Sequence, residues 1–220
     1  MKLGIIGSGN IGKSIGSWAA KLGYQVIFSA KNEEHASLAA KASGNNARSA
    51  SVREAVQVSD LVLLAVPYDA AQEVLEDVRS QLSGKILIDV TNALNEDMSD
   101  LKLGYTTSAA EEIAKLVPEA KVVKAFNTNF AKIYASQNPT VHGHTLSVFL
   151  ASDDKIAKTE VGELVSKMGF DPVDTGDLKS ARYIEPLAML NILLGYGLGM
   201  GLDIGFSLNH SKAAQSLRAA

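Results

Sequence analysis

The chain has 220 residues, 46% hydrophobic and 20% charged, enough for one α/β domain with a sizeable core and at most a small appendage. A formal net charge of −3 offers no basic field for nucleic acid or an anionic membrane, so neither partner is expected. Cysteine is absent, which excludes disulfides, thiolate metal sites and thiol redox chemistry; any redox role must rest on a bound cofactor.

In chain order, Lys2–Ile6 is a short apolar run ending in glycine, the pattern of a buried parallel strand. Met1–Gly7 is too short and glycine-broken for a signal-peptide core, and a cytoplasmic protein is expected. Helical spacing runs from Asn10 to Leu22 and stops at Gly23; Gln25–Phe28 reads as the second strand. A helix over Glu33–Ala42, a short strand at Ala47–Ser49 and a small helix at Val52–Val58 follow. Leu61–Val66 is six apolar residues closed by Pro67, and Ala70–Leu82 is an amphipathic helix before Gly84.

Further strands are expected at Lys85–Val90, Lys121–Phe126, Leu146–Ala151 and Asp171–Asp174. Ser108 and Glu111 form a capping box ahead of a helical turn at Ile113–Val117, and a helix spans Asp154–Met168. From about Ser180 the rest is expected to be mostly helical, loosened by Gly195, Gly197, Gly199 and Gly201. Alternation of this kind specifies an α/β fold, a Rossmann-type doubly wound, mostly parallel sheet. The expected organisation is a dinucleotide domain over residues 1–178 and a C-terminal helical segment over 179–220, used for packing or dimerisation.

Gly7–Ser8–Gly9–Asn10–Ile11–Gly12 is a G-x-G-x-x-G directly after a strand and directly before a helix. Gly7 allows the tight turn, Gly9 lets a pyrophosphate approach the backbone, and Gly12 lets helix and strand pack closely. The helix N-terminus presents N–H groups to the phosphates. A dinucleotide is therefore the expected ligand. Where an NAD site usually carries a carboxylate at the end of the second strand, this chain has Ser29–Ala30–Lys31–Asn32. Ser29 as donor and Lys31 as cation favour a 2′-phosphate, hence NADP(H); the alternative for Lys31 is a solvated surface lysine.

With these residues in hand, the chain resembles the F420-dependent NADP oxidoreductases, a family that includes the cytosolic dinucleotide domain of six-transmembrane metalloreductases. The resemblance spans nearly the whole length and rests on several motifs in order. They are Gly7–Gly12, Ala65–Tyr68, Asp89–Asn92, Lys124–Asn127, Gly169–Asp174 and Ala181–Leu187. It implies NADPH across the C-terminal ends of the strands and a flavin-like co-substrate (coenzyme F420, FMN or FAD) against the nicotinamide. It also implies that Ser8 and Ser29 touch the 2′-phosphate, that Val66 and Pro67 line the path, and that Asn92 and Asn127 sit near the nicotinamide. Ala30 stands where NADP-preferring members commonly carry arginine, and Glu34 where they carry a basic residue.

No obligatory catalytic side chain is expected, because ring-to-ring hydride transfer needs alignment more than acid–base help. Asn127 is the first candidate for a polar contact in the site, with a helix cap as its alternative. Pro186, Met189 and Gly195–Gly201 are candidates for an apolar floor, a dimer contact or plain core. His142 and His144, with no third ligand at matching spacing, are expected to bind no metal. Two competing readings stay open: a sensor that holds NADP(H) without turnover, and an imine or carbonyl reductase related to pyrroline-5-carboxylate reductase.

Overall fold

The structure, a computed structural model, describes residues 1–44 and 46–209. Strands β1 (Lys2–Ile6), β2 (Gln25–Ser29), β3 (Ala47–Ser49), β4 (Leu61–Leu64), β5 (Ile86–Asp89) and β6 (Lys121–Lys124) form one sheet in the order β3-β2-β1-β4-β5-β6. Every pairing in it is parallel. The order reverses between β1 and β4, which opens a crevice at the carboxyl ends of those two strands.

Helices α1 (Asn10–Lys21), α2 (Glu33–Ser43), α3 (Val52–Val58), α4 (Tyr68–Val78) and α5 (Ala109–Leu116) join these strands and cover both faces. Side chains alternate across each strand, so the core divides into two layers. Leu3, Ile5, Leu61, Leu63 and Ile88 point to one layer, with Trp18, Phe28 and Phe170. Ile6, Val62, Leu64 and Leu87 point to the other, with Leu75 and Ile113. Both layers are buried and apolar, and the strands between them read as near-continuous apolar runs for that reason.

Past β6 come α6 (Ala131–Ser136), a tight hairpin of β7 (Thr140–Val141) and β8 (His144–Thr145), then β9 (Ser147–Leu150), α7 (Lys155–Lys167), β10 (Asp171–Asp174) and α8 (Ala181–Ile192). β9 and β10 pair in parallel with each other, and an antiparallel bridge from Lys124 to Ala151, just past β9, joins them to the main sheet. They form a separate pair rather than extending the six-stranded sheet.

The expected strand to Phe126 stops at Lys124, because Phe126 adopts a left-handed backbone, φ +62°. The C-terminal expectation needs a larger correction. Helix gives way to one wide turn over Leu193–Gly197, and residues 198–209 are irregular. Gly199 and Gly201 take φ of +69° and +85°, and the chain returns so that Phe206 O accepts from Ser147 N on β9. Residues 210–220, expected to be helical and including His210, lie outside the described residues.

Candidate functional site

The glycine loop hangs on the end of β2. Gly7 N donates to Ser29 O at 2.9 Å and Ser8 Oγ donates to the same oxygen at 3.1 Å. Ser29 is fully buried and its hydroxyl donates to Ile5 O at 2.6 Å. This corrects the expectation of Ser29 as a donor: its side chain ties β2 to β1, and its one O–H is committed to Ile5 O. Lys31 stands exposed two residues on, and Asn32 caps α2 by accepting from Glu34 N.

The three glycines of the loop serve different masters. Gly7 has φ +98°, and a Cβ there would lie 2.4 Å from Ala65 O. A Cβ on Gly12 would lie 2.0 Å from Gly7 O. Both are demanded by the fold. Gly9 has φ −72° and ψ −168°, open to any residue, and a Cβ on it would meet nothing within 4 Å. Nothing in the fold requires glycine at this position. Gly9 is also the N-cap of α1 without a side-chain cap, and no acidic residue lies in the first turn. The bare backbone and positive helix end fit a pyrophosphate.

Val66 is half-buried across from Gly7, and Pro67 is exposed as the N-cap of α4. Beside it, burial, aided by the charges of Glu112 and Glu185, holds the Tyr68 phenol above its ordinary pKa and hence neutral.

Beyond Asn10 and Ile11 lies a cleft of about 270 Å³. Val90 and Asn92 after β5, the segment Phe126–Ala131 after β6, and Ala188, Asn191, Ile192 and Tyr196 of the C-terminal region line it. Asn92 and Asn127 meet there: Asn127 Nδ2 donates to Asn92 Oδ1 at 2.9 Å, and Asn92 Nδ2 donates to Asn127 O at 3.2 Å. Asn127 Oδ1 is buried without a partner among the described residues. An unsatisfied buried acceptor at a cleft fits a donor such as a carboxamide N–H. Asn127 caps no helix, since the N-cap of α6 is Phe130.

α8 contributes Ala188 and Ile192 to the apolar lining of the cleft, not Pro186 and Met189. Gly195 is required by the ring of Phe130, 2.6 Å from where its Cβ would be, and Phe130 meets Tyr196 edge-on at 5.4 Å. His142 and His144 sit exposed in the β7–β8 hairpin, away from the cleft lining.

Under the cleft is a charge cluster that spacing alone does not reveal. Lys124 is fully buried and its Nζ meets Asp89 Oδ2 at 2.9 Å, Glu185 Oε1 at 2.9 Å and Thr91 O at 2.5 Å. Glu185 also accepts from Ala109 N and Ala110 N, taking the N-terminus of α5. Burial opposes the lysine charge, but Asp89 and Glu185 outweigh it and raise the Lys124 pKa. The expected capping box is half observed: Ser108 Oγ accepts from Glu111 N, while the Glu111 carboxylate is held by Arg182 through two 2.8 Å bonds. Arg182 holds that carboxyl below its usual range.

The profile of the family "NADP oxidoreductase coenzyme F420-dependent" matches residues 2–93. The chain is 34% identical over 191 residues to metalloreductase STEAP3 of Rattus norvegicus, covering 86% of this chain and 37% of that protein. It thus spans little more than a third of that relative's length. It is 30% identical over 209 residues to the F420-dependent NADP reductase of Methanothermobacter thermautotrophicus, covering 88% of this chain and 89% of that one. A crystal structure from Arthrobacter sp. FB24, presented as a candidate F420-dependent NADP reductase, superposes with a TM-score of 0.83 at 28% identity, covering 96% of this chain and 100% of that one.

Proposed function

The chain belongs to the family of coenzyme F420-dependent NADP oxidoreductases, and from that premise we propose that it moves hydride between NADP(H) and a flavin-like ring: coenzyme F420, FMN or FAD. Gly7–Gly12 would hold the pyrophosphate. Ser8 and Lys31 would meet the 2′-phosphate, Val66 and Pro67 would border the path, and Asn92 and Asn127 would hold the nicotinamide end. The dinucleotide, when bound, supplies or takes the hydride; the protein's share is placement and exclusion of water.

The observation that carries the acceptor class is the cleft lining. It contains no carboxylate, histidine, lysine or arginine, and its one titratable side chain among the described residues, Tyr196, is 61% exposed and packed edge-on against Phe130 rather than enclosed in the cleft. Reduction of an imine or carbonyl benefits from a positioned proton donor, whereas a flavin-like ring brings its own electronics. An open cleft also suits turnover better than a sensor, which has no need of a second ring.

The test is oxidation of NADPH by the purified protein with F420, FMN, FAD or flavin plus ferric chelate, repeated with NADH. Turnover with a ring acceptor is expected. Tight NADPH binding without turnover on any of them would refute the proposal in favour of the sensor or an imine or carbonyl substrate.

Lys31→Ala should weaken NADPH binding about tenfold, as loss of a charge-assisted contact does, and NADH binding about twofold or less. Equal losses in a side-by-side titration would remove Lys31 from the 2′-phosphate site.

Leu190, Leu193, Leu198 and Met200 are exposed close together in sequence, next to Tyr196 of the cleft lining. A run of apolar side chains of this kind marks an interface, and a homodimer through this face is part of the same proposal. A monomer in sedimentation equilibrium would contradict it. Among the described residues no helix is long and apolar enough to cross a membrane; a cytoplasmic location is proposed, to be checked by cell fractionation.

A further inference from the structure

Three of the motifs read from the sequence converge on one buried nitrogen. Lys124 has three N–H donors, and Asp89, Glu185 and the carbonyl of Thr91 take all three. Thr91 immediately precedes Asn92, and Lys124 stands three residues before Asn127. One ammonium therefore fixes the exits of both strands that present the asparagine pair.

The same ammonium reaches α8 through Glu185. Residues spaced three, six and seven from Glu185 are Ala188, Asn191 and Ile192, one face of the helix, and all three line the cleft. At the far end of that face Asn191 Nδ2 donates to Thr128 O at 2.9 Å, the residue after Asn127. An ion pair at one end and a hydrogen bond at the other leave α8 one rotational setting against the asparagines.

We propose that Lys124 and Glu185 are positioning residues for the nicotinamide end of the cofactor site: with Asn191 they set α8 in register so that its cleft face closes over Asn92 and Asn127. This rests on the dinucleotide reading above and adds the device that aligns the reactive half. The glycine loop, which holds the other half, makes none of these contacts. The device should therefore act on the nicotinamide and spare the adenosine.

The experiment compares binding of NADPH with binding of adenosine 2′,5′-bisphosphate, which lacks the nicotinamide, and records the fluorescence of bound NADPH. Glu185→Gln keeps the shape and an acceptor for α5 but removes the charge facing Lys124. Asn191→Ala loosens the other end without leaving a buried charge unpaired, and serves as the second variant should Glu185→Gln not fold. All binding is measured well below each variant's melting temperature.

Both variants should bind the bisphosphate within about twofold of the parent, lose about tenfold for NADPH, and lose at least about half of the nicotinamide fluorescence gain. Unchanged NADPH-to-bisphosphate ratio and fluorescence in either folded variant would overturn the proposal and leave the cluster a purely structural one. A parent protein that binds the bisphosphate but gives no nicotinamide signal would overturn it too. Failure of the parent to bind either ligand would instead bring down the dinucleotide reading, and this inference with it.

Discussion

Replacing Lys124 with methionine should lower the stability of the fold by about 3–5 kcal/mol, the usual cost of stripping one partner from a buried ion pair. Lys124, Asp89 and Glu185 are each at most 1% exposed. In the variant two carboxylates would remain in the core facing a thioether, and the Thr91 carbonyl would lose its donor. For a domain of this size each kcal/mol moves the melting temperature by about 2–4 °C, so a fall of roughly 10 °C is the expected reading in a thermal melt. A change below about 2 °C would show that water or a local shift readily replaces the ammonium.

The pH dependence follows from the direction of the shift. The Lys124 pKa is raised in the folded chain, since Asp89 and Glu185 outweigh burial. A raised pKa contributes stability that is fully present below the unfolded lysine value of about 10.4 and is lost as pH rises through the folded value. Between neutrality and pH 9 the cluster should therefore hold steady, and the difference between parent and variant should not vary across that range. Buried ion clusters can often be replaced by well-packed apolar side chains at no loss. Stability alone is thus a weak reason for this one, and alignment of α8 with the asparagine pair supplies a better one.

Much of this was legible in the chain. The strand pattern was visible because β1, β4 and β5 are buried over nearly their whole length and so read as apolar runs, broken only at Lys2 and Asp89. The glycine loop was visible because its three glycines stand at fixed spacing directly between a strand and a helix, although the contact that demands Gly7 comes from Ala65, far along the chain. What failed was whatever depends on distant partners. α6 is six residues long with only Ile133 and Tyr134 buried, too short for periodicity to show. Ser29 sits at the position of a phosphate donor, yet Ile5 O, 24 residues earlier, claims its hydroxyl. The C-terminal run looked helical by composition, but positive φ at Gly199 and Gly201 turns the chain back to β9.

The charge cluster lay between these cases. A lysine in Lys-Val-Val-Lys-Ala-Phe and an aspartate in Ile-Leu-Ile-Asp-Val stand in strands that are otherwise buried. A charge in such a place requires an opposite charge near it. Sequence supplied the question, but only the topology, which sets β5 beside β6 and brings Glu185 over both, answered it.

Gly12→Ala and Gly9→Ala should separate fold from ligand within a single loop. At Gly12 the new methyl would fall 2.0 Å from Gly7 O and 3.0 Å from Ile5 Cγ2, with backbone on one side and β1 on the other. Neither can yield without moving α1 off the sheet. Overpacking of this severity costs about 3 kcal/mol or more, and the loop that would cradle a pyrophosphate is displaced with it. Stability and NADPH binding should both fall. At Gly9 the methyl meets nothing and the backbone angles suit alanine. Removing glycine also limits the unfolded chain, so stability should hold or rise by about 0.5 kcal/mol. The methyl would stand where the backbone must meet the phosphates, and NADPH affinity should drop at least about tenfold. Thermal melts paired with NADPH titration read both quantities on the same samples. A Gly9→Ala protein that melts like the parent and still binds NADPH like the parent would mean that the pyrophosphate does not cross this loop.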